Sequence, residues 1–411
     1  MTAATPASDW RRNRLGDLAS VTRGASPRPI ASPRWFSDSS DVGWVRIADL
    51  GRSDGLTLRT TTQRLSADGI ARSRFLPPGT LIMSIAATVG VPIVTGFPAC
   101  IHDGFVAIQS LRGVDQTYLL YVLKSLQEEM RSAGQTGSQA NVNTGIVNGL
   151  QLLTPPLEEQ KAIAAALHDV DEMIDALQRL VGKQQAIKQG MMQQLLTGKI
   201  RLPGFTEIWQ ESCSIRETCE RFSGYWGVDN VTAYADTVAH VIRAGDISAN
   251  GKLVKWATRY FGTDEWKKAA CRTDDVVVTA SGNGLGKIYY VHDAARLRLA
   301  ASNFVRILRP RTGVSGEFIA YVMRSNNARK VLDRHTATSA YPNLLPSFFS
   351  DPWFALPSLD EQVAIAHVLH DSDVEIDAIR GRLAKAQYIK QGMMHELLTG
   401  RTRLPIADGT E

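Results

Sequence analysis

The stretch PPLEEQKAIAAALHDVDEMIDALQRLVGKQQAIKQGMMQQLLTGKIRLP (residues 155–203) returns as PSLDEQVAIAHVLHDSDVEIDAIRGRLAKAQYIKQGMMHELLTGRTRLP (357–405), at an offset of 202 and with 29 of 49 positions identical. Agreement of this kind within one chain is far beyond chance, and it sets the architecture before any local reading begins. Fainter echoes precede it. Arg46 and Asp49 match Arg243 and Asp246 at an offset of 197, and Arg64 to Gly90 runs against Tyr260 to Gly286 at 196. Phe105 meets Phe304 at 199, while Tyr121, Val122, Ser125 and Asn143 meet Tyr321, Val322, Ser325 and Asn343 at 200. The chain is therefore one unit of roughly 200 residues written twice. The first part of each unit has diverged and the last part has not, so the variable parts do different versions of one job and the matched parts do the same job twice.

The matched segment reads as helix. Proline opens it and Glu158 and Glu159 fill the first turn, where the helix dipole favours acids. Ile163, Leu167, Val170, Ile174, Leu177 and Val181 recur at 4-3-4-3-4, a heptad seam. The second copy supplies Ile365, Leu369, Ser372, Ile376, Ile379 and Leu383. Past Val181 the seam moves to Ile187, Met191 and Leu195, which predicts a stutter or a bend. A break near Asp169 and Asp371 is a second option, because Asp169-x-x-Glu172 has the form of a cap on a later helix. Thr197-Gly198 and Thr399-Gly400 supply C-terminal glycines. From Val170 to Thr197 the helix would run about 28 residues, or about 42 Å. Two such helices, each with an apolar stripe it cannot bury alone, are expected to pair antiparallel about a pseudo-twofold axis. Two separate hairpins, each packed on its own lobe, would also hide the stripes. Gly190 and Gly392 interrupt both helices at a cost of about 1 kcal/mol relative to alanine. Their recurrence predicts close backbone approach, by the other helix or by a partner. The interface set on this reading is Ile163, Leu167, Val170, Ile174, Leu177, Gly190 and Met191, with Ile365, Leu369, Ile376, Ile379, Gly392 and Met393 in the second copy.

The variable parts mix short β-rich runs with one helical stretch, which predicts an α/β or mixed α+β lobe in two copies. Strand candidates are WVRIADL (44–50), TLIMSIA (80–86) and FVAIQSL (105–111), followed by a helix over 117–130. In the second lobe these become HVIRAGDI (240–247), DVVVTAS (275–281) and FVRILRP (304–310), with a helix over 316–325. The expected domains are lobes over 14–154 and 207–356, each followed by a repeated helical spacer, 155–206 and 357–405. Composition agrees with a globular chain of several domains: 411 residues, 44% hydrophobic and 21% charged. The N-terminal residues have no apolar signal core. The most apolar window (80–101) is cut by Gly90, Pro92, Gly96 and Pro98, so it reads as buried strands rather than a membrane span. A soluble cytoplasmic protein with no membrane partner is expected. Cys100, Cys213, Cys219 and Cys271 form neither a disulfide framework nor a C-x-x-C pair.

Charge is distributed in blocks. Residues 1–154 hold 15 basic and 11 acidic side chains and residues 204–356 hold 19 and 15, whereas 155–203 balance at 6 and 6 and 357–411 hold 6 and 9. The net +5 thus sits in the two lobes, which suits a polyanion gripped at two places. Candidate DNA contacts are Arg23, Arg28, Arg52, Arg64, Arg72 and Arg74 in the first lobe and Lys252, Lys255, Arg259, Lys267 and Lys268 in the second. Arginine and lysine serve phosphates and guanine edges.

Catalytic motifs fail on inspection. Ser281-Gly282-Asn283-Gly284-Leu285-Gly286-Lys287 has serine where a phosphate loop needs its first glycine, and Ile288 follows the lysine. A turn glycine explains Gly286 better. Asp351-Pro352-Trp353-Phe354 resembles the Asp-Pro-Pro-aromatic motif of adenine methyltransferases but lacks its second proline, and the first copy has Gly149 in place of the aspartate. His367-x-x-His370 has metal-ligand spacing, yet Ala165 replaces the first histidine in the first copy. No catalytic residue and no metal site is expected.

PPLEEQKAIAAALHDVDEMIDAL followed by IKQGMMQQLLTGKIRL, given twice after divergent lobes, resembles the specificity subunit of type I restriction–modification systems. The likeness covers essentially the whole chain. GSQANVN (137–143), just ahead of PPLEEQ, also matches, while the second copy departs from it as TSAYPN (338–343). The resemblance implies that each lobe is a target recognition domain reading one part of a split, asymmetric site in double-stranded DNA. It implies that the coiled-coil helices act as a ruler and dock two methyltransferase (modification) subunits and, through them, restriction subunits. The chemistry would belong to those partners, with S-adenosylmethionine, ATP and Mg bound there and no cofactor on this chain. Lobes held about 40 Å apart would suit successive major grooves, which lie about 34–36 Å apart. The rival readings are a helical scaffold whose lobes bind protein, and the DNA-reading subunit of a methyltransferase-only complex.

Overall fold

A computed structural model describes residues 9–133, 142–225, 238–254, 258–260, 264–282, 284–294, 298–336 and 342–405. The chain forms two compact units, residues 1–179 with 380–411, and residues 180–379. Each unit is therefore a lobe completed by pieces of both repeated helices.

The lobe of unit 1 is built on a five-stranded sheet with the order Ser20–Arg23, Phe105–Gln109, Leu81–Ser84, Pro92–Thr95 and Thr57–Leu58. A second sheet orders Gln63–Arg64, Gly43–Val45, Ala99–Ile101 and Arg74–Leu76. Arg11–Arg14 pairs with Gln151–Thr154 at the base. Leu81–Ser84 is buried along its whole length, which is why Leu81, Ile82 and Met83 run apolar without alternation. Trp10, Leu15, Tyr118 and Tyr121 join Ile163, Leu167, Leu397 and Leu398 in one core, so both long helices contribute to the lobe's interior.

Unit 2 repeats the plan. Cys219–Ser223, Val305–Pro310, Val276–Thr279 and Ile288–Tyr290 form the main sheet in the same relative order. Thr258–Tyr260, Val238–Ile242 and Leu299–Ala301 form the second, and Gln210–Cys213 pairs with Phe354–Leu356 at the base. Its core joins Phe318 and Tyr321 to Met192, Leu195, Leu196, Ile365 and Leu369.

The repeated helices are longer than the seam predicts. They run Leu157–Leu195 (39 residues) and Leu359–Leu398 (40 residues), unbroken at Asp169 and Asp371. The cap geometry expected there is not used because both aspartates lie inside a continuous ladder. Isolated hairpins are also overturned. In unit 2 Lys188 reaches Asp373 at 2.5 Å and Gln184 donates to Glu375 at 2.8 Å, and in unit 1 Lys390 reaches Asp171 at 2.5 Å. Residue numbers rise on one helix as they fall on the other, which is antiparallel pairing within each unit. Two predicted strands are shorter than expected. WVRIADL keeps Gly43–Val45 and then turns into a 3₁₀ helix, Ile47–Arg52; HVIRAGDI keeps Val238–Ile242 before the turn Ala244–Asp246. Buried Asp49 and Asp246 impose both turns by accepting the backbone N–H of Arg46 and Arg243 at 2.9 Å. That explains the matched Arg-x-x-Asp of the two lobes as a structural cap. The helix expected over 117–130 divides at Leu126 into Gln116–Ser125 and Gln127–Ala133.

Candidate nucleic-acid interface and helix surfaces

In unit 1, Gly24 runs so close to His102 that a Cβ there would lie 2.1 Å from a carbonyl oxygen. This approach, open to glycine alone, lays Arg23 beside Asp103. Arg23 Nε donates to the Asp103 carbonyl oxygen at 2.8 Å, Arg28 meets the Asp103 carboxylate at 2.8 Å, and Arg74 Nε donates to the Arg23 carbonyl at 2.6 Å. Ser73 donates to Ala25 at 2.6 Å, so Arg72 falls on the same side, with its guanidinium 5.7 Å from the centre of the Trp35 ring. Arg34, not singled out from the sequence, stacks on that ring at 3.8 Å. The signal for it was the Arg34-Trp35 pair, unreadable until the fold showed the indole buried and its face capped by cations. Burial holds the His102 imidazole below its ordinary value, against the opposing pull of Asp103. Thus Arg23, Arg28, Arg72 and Arg74 converge, all exposed. Arg52 and Arg64 do not join them: Arg52 lies 3.8 Å from the buried Asp49, and Arg64 donates to the Ser40 carbonyl at 3.1 Å.

Unit 2 gathers fewer of its candidates. Gly224 repeats the close approach of Gly24, against Ser302. Lys252 is ion-paired with Asp377 on the second long helix. Lys267 and Lys268 are exposed at the end of the turn Asp264–Ala269. Lys255 lies outside the described residues, and of Arg259 only the backbone is described, in the strand Thr258–Tyr260. The segments GSQANVN and TSAYPN also fall outside, apart from Val142-Asn143 and Pro342-Asn343; Asn143 caps the short helix Thr144–Asn148.

The motifs set aside as chemistry have structural work. Gly286 has a φ of 77° and packs against Leu332, with a Cβ there 2.6 Å from its side chain. Trp353 and Phe354 pack on one another, and the Trp353 N–H donates to the Cys213 carbonyl at 3.0 Å. His370 pairs with Glu317 at 3.0 Å rather than with His367. The four cysteines are buried free thiols, and burial pushes Cys100 up to about 11 and Cys219 up to about 12.

The matched positions of the repeat meet at two junctions in each unit. Glu159, fully buried, accepts from Nε and Nη2 of Arg403 at 2.5 and 2.7 Å and from the Trp10 indole N–H at 3.2 Å. Glu361, equally buried, takes Arg201 at 2.5 and 2.7 Å and Trp209 at 2.9 Å. Higher along the helices, Asp171 accepts Tyr121 Oη at 2.8 Å beside Lys390, and Asp373 accepts Tyr321 Oη at 2.9 Å beside Lys188. Burial first, then the neighbouring aspartate, pushes both tyrosines well above their ordinary value.

Of the expected interface residues, Ile163 and Leu167, like Ile365 and Leu369, are buried in the lobe cores. Ile174, Leu177, Ile376 and Ile379 are buried farther along the helices; Val170, Met191 and Met393 are half-buried. Gly190 and Gly392 have no atom within 4 Å of where a Cβ would stand, so helix-on-helix approach within the chain is not their explanation. Beside each lies an open groove. In unit 2 it is about 770 Å³ and is lined by Gln189, Met192, Leu196, Val322 and Trp353. In unit 1 it is about 700 Å³ and is lined by Gln391, Met394, Leu398, Val122 and Gln151. These are the same positions of the repeat.

A lobe of two sheets built twice, each closed by antiparallel repeated helices, has counterparts among known proteins. Residues 7–189 match the type I restriction modification DNA specificity domain. The chain is 23% identical over 307 residues to the type I restriction enzyme MjaVIII specificity subunit of Methanocaldococcus jannaschii, covering 71% of each. It is 32% identical over 199 residues to the putative MjaX specificity subunit of the same organism, 46% of each. Its fold matches the type I restriction–modification S subunit of M. genitalium at a TM-score of 0.62, over 95% of this chain and 96% of that one, at 13% identity. A chain from a structure of type I restriction–modification complex assembly and conformational transition matches at 0.58, over 97% and 100%, at 16% identity. The chain thus resembles the specificity subunits of type I restriction–modification systems, in sequence over residues 7–189 and in fold over nearly its whole length.

Proposed function

We propose that this chain reads a bipartite, asymmetric DNA target, one half-site per lobe, and docks two modification subunits, with restriction subunits added through them, while carrying no chemistry of its own. The recognition domains are residues 14–154 and 207–356, and the repeated spacers are 155–206 and 357–405. The observation that carries the reading is the contrast inside each unit. The scaffold side is kept at 29 of 49 positions, among them Glu159 and Glu361 with their arginine partners, whereas the exposed lobe side has diverged. In the first lobe Arg23, Arg28, Arg72 and Arg74 would meet DNA, with Arg34 added to them. Arg52 and Arg64 would serve phosphates at the periphery. In the second lobe the candidates are the exposed Lys267 and Lys268, with Lys255 and Arg259 retained from the sequence alone; Lys252 would have to leave Asp377 first. The grooves beside Gly190 and Gly392 are the docking surfaces, since an exposed glycine kept in both helices costs stability that a closely approaching partner would recover. No described helix is long and apolar enough to cross a membrane, which accords with a cytoplasmic site of action on DNA.

The test is methylation-sensitive sequencing of DNA from cells carrying this chain and its modification subunit, with residues 207–356 native or replaced by another lobe. A split adenine-methylated motif that changes in one half only is the expected result. Methylation that is absent, or unchanged by the swap, would instead support a protein-binding scaffold.

A further inference from the structure

We infer that the two docking grooves are unequal, and that the groove of unit 2 takes an acidic, amphipathic segment of the modification subunit before the groove of unit 1 does; this rests on the docking reading above. Both grooves have an apolar floor drawn from equivalent positions, Met192, Leu196 and Val322 in unit 2 and Met394, Leu398 and Val122 in unit 1. Their rims differ. No carboxylate lines either groove, but Lys199, Arg329 and Lys330 line that of unit 2, and none of the three has a carboxylate partner among the described residues. In unit 1 the lining cation is Lys390, which Asp171 holds as Asp373 holds Lys188 in unit 2; Glu129 and Met130 stand at the positions of Arg329 and Lys330, and Arg401, the counterpart of Lys199, lies 3.9 Å from Glu396 where unit 2 has Gln194. The short helix after the break at Leu126 begins with Glu128 and Glu129, whereas its unit 2 equivalent, Asn326–Arg334, carries Arg329 and Lys330.

Every one of these differences moves unit 2 toward positive charge. Two copies of one modification subunit present the same segment to both grooves, so the difference in potential falls wholly on affinity and encounter rate. The apolar floor selects an amphipathic peptide over a nucleic-acid backbone, which would have nothing to bury there.

The experiment titrates the full chain with purified modification subunit, following 1:1 and 2:1 complexes by native mass spectrometry at low and high salt. A 1:1 complex should accumulate first, and salt should weaken that first step more than the second. Replacing both cations (Arg329→Glu with Lys330→Glu) should weaken the first step by about tenfold or more, and the milder Arg329→Gln with Lys330→Gln by less. Both positions are exposed, and circular dichroism confirms the fold. Glu128→Lys with Glu129→Lys should tighten the second step. Two equal steps, or a first step indifferent to the charge reversals, would overturn the inequality while leaving docking intact. No complex with the wild-type chain would overturn the docking reading itself. Loss of binding to a short DNA duplex in the glutamine variant, with subunit assembly unchanged, would assign the groove to DNA and reject the inference.

Discussion

The junction around Asp171 in unit 1 and the one around Asp373 in unit 2 are the same construction with one changed part. Each aspartate accepts a lobe tyrosine and a lysine from the opposite helix. Beside them stands Lys124 in unit 1 and Arg324 in unit 2. Arg324 donates to the Gly251 and Ile288 carbonyls, at 3.4 and 3.3 Å. Positions where a lobe and both helices meet are held constant because one substitution would strand two partners. A position that meets only backbone carbonyls of its own lobe, as Arg324 does, differs between the copies. Matching within the repeat therefore maps three-way contacts rather than burial as such.

The largest effects should come from the carboxylates at the helix starts. Glu361→Ala leaves Arg201 and the Trp209 N–H without their acceptor, and should destabilise by about 2–4 kcal/mol. Glu159→Ala should do the same through Arg403 and Trp10. Hydrogen exchange should show the loss in unit 2 for the first variant and in unit 1 for the second; a loss spread evenly over both would break the picture of two separately closed units.

The next effect distinguishes Lys124 from Arg324 by pH. Burial, with Lys390 nearby, pushes the Lys124 ammonium down to about 8. Its value in the unfolded chain is about 10.4, so across that window the unfolded chain binds a proton the folded chain has released. Stability of unit 1 therefore rises with pH between the two values, and the cost of burying the charge is complete below the lower one. Arg324 stays charged throughout. Lys124→Met should abolish the rise and stabilise unit 1 near neutral pH by about 1–2 kcal/mol, allowing for partial exposure. Chemical denaturation read by exchange in each unit at about pH 7 and about pH 10 checks both.

The smallest effect is the most diagnostic. Gly190→Ala and Gly392→Ala meet nothing within 4 Å and should stabilise the free chain by about 0.5–1 kcal/mol each. If the glycines admit a partner, the same changes should weaken assembly with the modification subunit. A gain in stability with no loss in assembly would reduce them to tolerated surface glycines.

The duplication, the helical nature of its matched half, the mixed lobes and the family likeness were all legible in the sequence, because repetition and a 4-3-4 seam are properties of residue order alone. Helix length was not. Ile163 and Leu167 fit the seam, but they are buried in the lobe core, and periodicity cannot say which apolar surface a stripe will meet. Nor could it show that Arg403 and Trp10, at opposite ends of the chain, share Glu159. The arginine cluster was half visible: composition named Arg23, Arg28, Arg72 and Arg74, and only the approach of Gly24 to His102 gathered them and separated Arg52 and Arg64. By itself the sequence determined that one unit is written twice and that its helical part must find an apolar partner, since a stripe facing water on so long a helix is unstable. Tertiary structure decided that each unit is closed by one piece of each helix, because buried carboxylates and tyrosines accept only the register that supplies every one of them with its donor or acceptor.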